Sequence, residues 1–95
     1  MITKRYIKTR NTMKVTFKVD FAKKANQVEL AGDFNGWQPL PMKRNSRGVY
    51  TAVVELEPGR AYQYRYRIDG QWENDWAADA YTPNPFGEDN SVVIC

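Results

Sequence analysis

Two tryptophans set among turn residues are the side chains of this sequence best suited to binding a ligand. Trp37 follows the turn-forming residues 32–36, and Trp72 comes two residues after the dipeptide Asp69-Gly70. Indole rings present an apolar face for stacking, while arginine, asparagine and glutamine supply hydrogen bonds to hydroxyl groups. A pyranose ring and a nucleobase both fit such a surface. These residue types therefore predict a stacking site without separating a sugar from a nucleic acid.

Side chains for covalent or acid–base catalysis are scarce. The chain has no histidine and a single cysteine, Cys95, so serine–histidine and cysteine–histidine nucleophiles are excluded and no zinc or copper site is expected. A glycosidase needs two carboxylates flanking the scissile bond. The candidates near the aromatic residues are Asp75 and Asp79, in a segment with no sign of a pocket. We interpret Asp75 as a turn or capping carboxylate and predict no enzyme activity, no metal and no cofactor.

Alternation of apolar and polar residues with a period of two predicts an all-β fold. It indicates strands at residues 14–20, 27–31, 49–56, 61–68 and 91–94, with a further strand within residues 3–9. Short strands separated by Gly, Asn, Asp and Pro turns are typical of a β-sandwich. Residues 75–90 show no clear period and are predicted to form a long ordered loop. The expected core includes Phe17, Leu30, Phe34, Val54, Tyr64, Tyr66 and Ile68.

The Asp69-Gly70 pair predicts a two-residue type I′ hairpin. In that register Arg67 opposes Trp72, and Arg65 opposes Asn74, so these side chains share one face. The alternating tyrosines of residues 62–66 take the core face, which leaves Trp72 and the two arginines facing solvent. Either Arg67 and Trp72 form a structural cation–π pair, or Trp72 is a stacking platform beside cationic donors. Trp37 is likewise either a lid over one end of the sandwich or a second platform.

The length and the charge of the chain limit the number of domains and the kinds of partner that we expect. The 95 residues carry a formal net charge of +3, and the length predicts one domain, residues 1–95, with residues 1–13 as an N-terminal arm or first strand. Basic residues gather in the first 24 positions and every charged residue from Asp69 onward is acidic. We interpret this as solvated faces that attract each other, and predict no nucleic-acid partner. No run approaches the roughly 20 apolar residues of a membrane span, and no signal peptide is evident. We therefore expect no membrane partner and a cytoplasmic location.

Three segments carry a family resemblance: residues 28–37 (VELAGDFNGW), 40–42 (LPM) and 64–72 (YRYRIDGQW). They resemble the glycogen-binding domain of the AMP-activated protein kinase β subunit and the early-set domain that precedes isoamylases and branching enzymes, grouped as carbohydrate-binding module family 48. Small stand-alone bacterial early-set proteins are also similar. The resemblance implies an immunoglobulin-like antiparallel β-sandwich that binds α-1,4-glucan chains such as glycogen, starch and maltooligosaccharides and catalyses nothing. A glycogen-metabolising enzyme is a further candidate partner.

The resemblance also implies a set of sugar contacts: Trp37, Arg65, Trp72, Phe86 and Asn90, with Arg67 and Glu88 as secondary positions. Arg65 stands where the family has lysine, Phe86 where it has leucine, and Glu88 where it has a threonine contact. Because a carboxylate must be desolvated before it accepts from a sugar hydroxyl, Glu88 is expected to lower the affinity. The alternative function is a protein–protein or scaffold module that has the same fold and little sugar affinity.

Overall fold

The computed structural model describes residues 2–95, which form two packed antiparallel β-sheets. The strands are β1 (Ile2–Ile7), β2 (Thr12–Val19), β3 (Val28–Gly32), β4 (Leu40–Pro41), β5 (Lys43–Arg44), β6 (Tyr50–Leu56), β7 (Ala61–Ile68), β8 (Gln71–Glu73), β9 (Ala80–Pro83) and β10 (Asp89–Ile94). A 3₁₀ turn, Asp33–Asn35, follows β3. Within residues 2–95 no helix is long and apolar enough to cross a membrane.

The strand order explains how distant parts of the sequence meet. One sheet has the order β1-β2-β6-β5, and the other has the order β4-β3-β7-β10-β9, with β8 also pairing with β7. Strand β3 pairs along residues 64–68 of β7. On the opposite edge of β7, β10 pairs with residues 61–64 and β8 with residues 66–68. Strands β8 and β10 therefore lie end to end, and Arg65 sits at the junction between them.

The core lies between the inward faces of the two sheets, as the alternation predicts. Phe17, Leu30, Tyr64 and Tyr66 are fully buried. Phe34, Val54 and Ile68 are partly buried and pack against the same cluster. The Phe17 ring stands edge-on to Tyr64, with ring centroids 4.9 Å apart. This face of β7 belongs to the core, so the alternate residues of β7 point to the opposite, outer face of the sheet.

A buried carboxylate satisfies the tyrosine hydroxyls inside the core. Asp75 Oδ2 accepts hydrogen bonds from the hydroxyl of Tyr64 at 2.7 Å and of Tyr66 at 3.1 Å. Its Oδ1 accepts from the backbone N–H of Ala77, so Asp75 is a turn carboxylate as predicted. Burial opposes ionisation, but hydrogen bonds, including those from Ala77 and Tyr64, hold the pKa of Asp75 below its ordinary value. Burial also raises the pKa of both tyrosines far above the usual range.

The prediction of a long loop at residues 75–90 is wrong in part. Strand β9 lies within this range and pairs with β10 from Ala80–Val92 to Pro83–Asp89. The strand is short, lies at the sheet edge and ends in proline, so it shows too little alternation to be visible in the sequence. Residues 84–88 are then the loop of a β9–β10 hairpin.

Candidate functional site

A groove of about 510 Å³ opens on the outer face of the six-stranded sheet. It is lined by Asp33, Trp37, Gln63, Arg65, Trp72, Asn84, Pro85, Phe86, Glu88 and Asn90. The five positions implied as sugar contacts all lie among these residues, and so does Glu88. Arg67 does not line the groove. The strand junction at Arg65, the turn after β3 and the β9–β10 hairpin loop together bring these side chains to one place.

Arg65 lies on the floor of the groove and is held from two sides. Its Nε donates a hydrogen bond to Asn74 Oδ1 at 3.1 Å, and its Nη1 forms an ion pair with Glu88 Oε1 at 3.2 Å. The side chain points away from the sandwich core, as the hairpin register predicts. However, the residue is only 7% exposed, so the expectation of a solvent-facing guanidinium is wrong. Asn74 and the loop at residues 84–88 cover it.

A line of hydrogen bonds crosses the groove floor and includes three residues, Asp33, Gln63 and Asn84, that the sequence did not single out as contacts. Asn84 Nδ2 donates to Asn90 Oδ1 at 3.2 Å, and Asn90 Nδ2 donates to Gln63 Oε1 at 2.9 Å. The backbone N–H of Gln63 donates to Asp33 Oδ2 at 2.8 Å. Asp33 Oδ1 then accepts from Trp37 Nε1 at 3.0 Å. The indole of Trp37 is thus connected to the hairpin loop through fixed polar contacts.

Trp37 occupies a backbone conformation that few residues adopt. Its φ is +62°, directly after Gly36 at +65°. The turn is closed by a hydrogen bond from the Trp37 N–H to the Gly32 carbonyl and by the Asn35 side chain, which accepts from the Gly32 N–H. A left-handed conformation costs a non-glycine residue about 1–2 kcal/mol. The turn therefore holds this half-buried indole in a defined place against its backbone preference.

Trp72 both forms a cation–π pair with Arg67 and remains exposed as a stacking surface, which were the two alternatives that the hairpin left open. Asp69 and Gly70 both have positive φ, as a type I′ turn requires, and Trp72 opposes Arg67 as predicted. The Arg67 guanidinium carbon lies 5.8 Å from the centroid of the Trp72 ring, which is a cation–π contact. The tryptophan is still 42% exposed and lines the groove. Arg67 therefore braces an indole that remains available to a ligand.

Phe86 stands at the tip of the hairpin loop and is 86% exposed. The loop beneath it is fixed by Asn84, whose Oδ1 accepts from the backbone N–H groups of Phe86 at 2.9 Å and Glu88 at 3.1 Å. The Asn84 N–H donates back to the Glu88 carbonyl at 2.8 Å. Asparagine before proline is a turn signal that could have indicated this loop from the sequence. The result is an exposed aromatic ring on an ordered backbone.

The groove combines aromatic walls with a polar floor whose charged groups are paired or hydrogen-bonded. Its guanidinium, Arg65, is neutralised by Glu88, and its second carboxylate, Asp33, accepts two hydrogen bonds. Such a surface suits a neutral ligand that has apolar faces and many hydroxyl groups. The fold and the groove together define an immunoglobulin-like β-sandwich binding module.

Comparison with known proteins shows which family this module represents. Residues 6–82 match the family model of carbohydrate-binding module 48, the isoamylase N-terminal domain. The chain belongs to this family, which is a family of non-catalytic binding modules. The resemblance found in the sequence and the predicted sandwich fold are both confirmed.

Relatives contain this module as part of longer chains. The sequence is 34% identical over 67 residues to 5'-AMP-activated protein kinase subunit beta-1 of Sus scrofa, covering 70% of this chain and 52% of that protein. It is 36% identical over 63 residues to 1,4-alpha-glucan branching enzyme GlgB 2 of Xanthomonas campestris, covering 63% of this chain and 8% of the enzyme. A mutant pullulanase from Paenibacillus barengoltzii, crystallised with maltotetraose, superposes with a TM-score of 0.57 at 25% identity over 93% of this chain and 14% of the pullulanase. The chain therefore spans about half or less of each of these relatives.

Proposed function

We propose that this chain binds α-glucan chains such as glycogen, starch and maltooligosaccharides in the groove, and that it catalyses no reaction. One observation carries the proposal. Trp37, Trp72 and Phe86 come from three separate loops or hairpins, and all three line one groove above a floor of amide and guanidinium groups. Each aromatic ring covers the apolar C–H face of a pyranose, while the floor offers hydrogen bonds to its hydroxyl groups.

The relatives and the charges favour a glucan over a nucleic acid. One relative is a 1,4-α-glucan branching enzyme, and the pullulanase was crystallised with maltotetraose. A nucleic-acid site needs cations that neutralise phosphates. Here the guanidinium of Arg65 already has Glu88 as its partner, and Asp33 adds a second carboxylate. A neutral polyhydroxyl chain meets no such repulsion.

In this proposal the aromatic side chains stack on the sugar rings, and the amide groups of the floor form hydrogen bonds with the sugar hydroxyls. Trp37 and Trp72 stack on sugar rings, and Phe86 acts as an apolar wedge between turns of a curved chain. Asn90 uses one amide hydrogen for Gln63, so its second hydrogen is left for a sugar hydroxyl. Because Trp37 and the loop carrying Phe86 are already held in place, little conformational entropy is lost on binding.

The positions of the carboxylates support the proposed absence of catalysis. Asp75 and Asp79, the two carboxylate candidates of the sequence, do not line the groove, and Asp75 is buried behind Tyr64 and Tyr66. Asp33 and Glu88 do line it, but both are committed to hydrogen bonds that shape the floor.

The decisive experiment is a titration of Trp37→Ala, Trp72→Ala and the double variant with maltoheptaose. Loss of one indole should weaken binding about tenfold, or about 1.4 kcal/mol, because one stacking surface is removed. The double variant should be retained on amylose resin much more weakly than the wild type. Tyr6→Ala removes an exposed aromatic residue of β1 outside the groove and should bind like the wild type. A folded double variant that binds as well as the wild type would refute the site.

A protein–protein or scaffold function remains the second candidate. One observation favours it: two donors of Arg65 are occupied by Asn74 and Glu88, which leaves fewer donors for a sugar. Wild-type protein that is folded but binds neither maltoheptaose nor amylose would select this alternative.

A further inference from the structure

A second hollow of about 620 Å³ shares no lining residue with the groove among the residues that the structure describes. Two exposed aromatic side chains lie in it, Trp76 and Phe21. Trp76 is 76% exposed, more than either groove tryptophan. We call this the Trp76 hollow; its remaining walls are formed by residues 20–25, the Asp69 turn and Glu73.

The Trp76 hollow and the groove lie on opposite sides of β8. Trp72 opposes Arg67 on the outer face of the sheet, whereas Glu73 opposes Tyr66, whose ring is in the core. Successive strand residues point to opposite faces, so Trp72 reaches the groove and Glu73 reaches the other side. The chain then buries Asp75 and returns to the surface at Trp76. The two aromatic surfaces therefore face different directions.

The backbone that carries Trp76 is fixed although the indole is not packed. The preceding residue, Asp75, is anchored in the core by the hydroxyls of Tyr64 and Tyr66. The following residue, Ala77, donates its N–H to Asp75 Oδ1, and the hydroxyl of Tyr81 donates to the Asp75 carbonyl at 2.6 Å. An exposed indole on such a support adds little to stability. It is, however, pre-positioned as a stacking platform.

The wall formed by residues 20–25 is anchored as well. Asp69 Oδ1 accepts hydrogen bonds from the backbone N–H groups of Asn26 at 3.0 Å and Gln27 at 2.9 Å. The hydroxyl of Tyr50 donates to the Ala25 carbonyl at 2.7 Å. The segment that carries Phe21 is thus tied both to the β7–β8 turn and to β6.

We propose that the Trp76 hollow is a second binding site for a neutral sugar chain, which stacks on Trp76 and Phe21. The rim carries both signs of charge, with carboxylates on Asp20 and Glu73 and ammonium groups on Lys23 and Lys24. Carboxylates accept hydrogen bonds from hydroxyl groups, and ammonium groups donate to them. A polyanion is disfavoured by the carboxylates. The choice of a glucan as the ligand rests on the proposed function of the groove.

A second site changes what the module does with a polymer. Two sites on different faces can hold two branches of one glucan, or two particles, at the same time. When both sites hold the same glucan, the second contact is intramolecular, and the apparent affinity for the polymer exceeds that of either site alone. A short oligosaccharide that fills one site gains nothing from this effect.

The test follows the three indole N–H signals of ¹⁵N-labelled protein during a maltoheptaose titration, one signal for each of the three tryptophans. We expect the Trp76 signal to shift and saturate in the wild type and also in the Trp37→Ala, Trp72→Ala double variant, because the hollow does not use the groove. A Trp76 signal that stays in place, or that moves only when the groove is intact, would overturn the proposal.

The same titration separates this proposal from the proposed function. If the Trp37 and Trp72 signals shift and the Trp76 signal does not, the second site is wrong while the groove stands. If only the Trp76 signal shifts, the groove is wrong and the second site stands. Trp76→Ala should also lower the affinity for glycogen at least about tenfold through lost avidity, with maltoheptaose binding at Trp72 and the unfolding temperature unchanged. Unchanged glycogen affinity would contradict the two-site binding of polymers.

Discussion

At the scale of single residues, the ion pair between Glu88 and Arg65 determines which hydrogen-bond donors the groove floor offers. Their ion pair, 3.2 Å between Nη1 and Oε1, occupies a guanidinium donor that we propose a sugar hydroxyl would otherwise use. Arg65 is buried, whereas the Glu88 side chain is more than half exposed. The pair therefore joins the sheet to the hairpin loop, and we expect it to compete with a ligand for the Arg65 guanidinium.

Replacing Glu88 should separate these two effects. Glu88→Thr frees the Arg65 donor, so maltoheptaose affinity should equal or exceed that of the wild type. Stability should fall by about 1 kcal/mol, since the partner that is lost is mostly exposed. Glu88→Gln is the matched control because it keeps the hydrogen bond without the charge, and it should lie between the two. Calorimetric titration and urea unfolding measure both quantities, and weaker binding by Glu88→Thr would contradict the competition.

The backbone of Trp37 yields a prediction that is independent of any ligand. Trp37→Gly and Trp37→Ala both remove the indole, but only glycine relieves the cost of a φ of +62°. The glycine variant should be more stable than the alanine variant by about 1 kcal/mol, although both should lose binding equally. Chemical denaturation compares them directly. Equal stability, or a more stable alanine variant, would show that the turn relaxes once the indole is gone.

Predictions about single residues were correct where they depended on strand register. They were wrong where they depended on whether a distant loop covers the side chain. The Asp69-Gly70 turn fixed the pairing of Arg67 with Trp72, because a two-residue loop leaves one register. The burial of Arg65 could not be foreseen, since it depends on a loop more than twenty positions away. The role of Gln63 was hidden for the same reason: its partners, Asp33 and Asn90, come from two other segments.

At the scale of elements, the end-to-end placement of β8 and β10 along β7 organises both the core and the groove. The chain leaves β8, and Asp75 donates its backbone N–H to Ser91 Oγ of β10 at 2.9 Å. The same residue holds two tyrosine hydroxyls with its side chain. Asp75 therefore joins three strands at the junction under Arg65.

Removing this carboxylate should be strongly destabilising. Asp75→Ala leaves two buried hydroxyl groups without their acceptor, each at a cost of about 1–3 kcal/mol, so the loss should be about 2–6 kcal/mol. Adding Tyr64→Phe and Tyr66→Phe to the alanine variant removes the unsatisfied donors and should restore part of that stability. Urea unfolding followed by circular dichroism measures all of these proteins. A triple variant less stable than Asp75→Ala would contradict this account.

The longer strands were predictable from the sequence and the short ones were not. Strands β2, β6 and β7 alternate over seven or eight residues, which is enough for a period of two to be visible. Strands β4 and β5 have two residues each and exist only because a neighbour offers hydrogen-bonding partners. Strand β9 depends in the same way on β10. Such elements are set by tertiary pairing, which a local pattern does not contain.

At the scale of the whole molecule, a single carboxylate ties the two sheets together at one edge. Asp79 Oδ2 accepts from Lys4 Nζ of β1 at 2.8 Å and from the backbone N–H of Ile94 in β10 at 2.8 Å. Burial opposes ionisation, but the Ile94 and Lys4 hydrogen bonds outweigh it and lower the pKa of Asp79. One basic residue from the beginning of the chain, Lys4, is therefore paired with one acidic residue near its end, Asp79.

The lowered pKa of Asp79 predicts that the free energy of unfolding decreases as the pH falls. Because the pKa of Asp79 is lower in the folded state, the unfolded chain binds protons more readily as the pH falls. The stabilisation is fully present above the ordinary aspartate pKa of about 4 and is lost as the pH falls through the folded value. Unfolding free energies measured from pH 7 to pH 2.5 should decline below about pH 4. Asp79→Asn should be less stable at pH 7 and decline less steeply, and an unchanged slope would contradict the assignment.

The hydrogen-bonded line from Trp37 to Asn84 also has a kinetic consequence. A ligand that enters a groove with fixed walls closes no lid and orders no loop, so capture is a single step and release is not delayed by reopening. Weak stacking contacts on such a surface give short residence times rather than slow association. Under the proposed function, we therefore expect each contact between the groove and a chain end of a branched glucan to be brief.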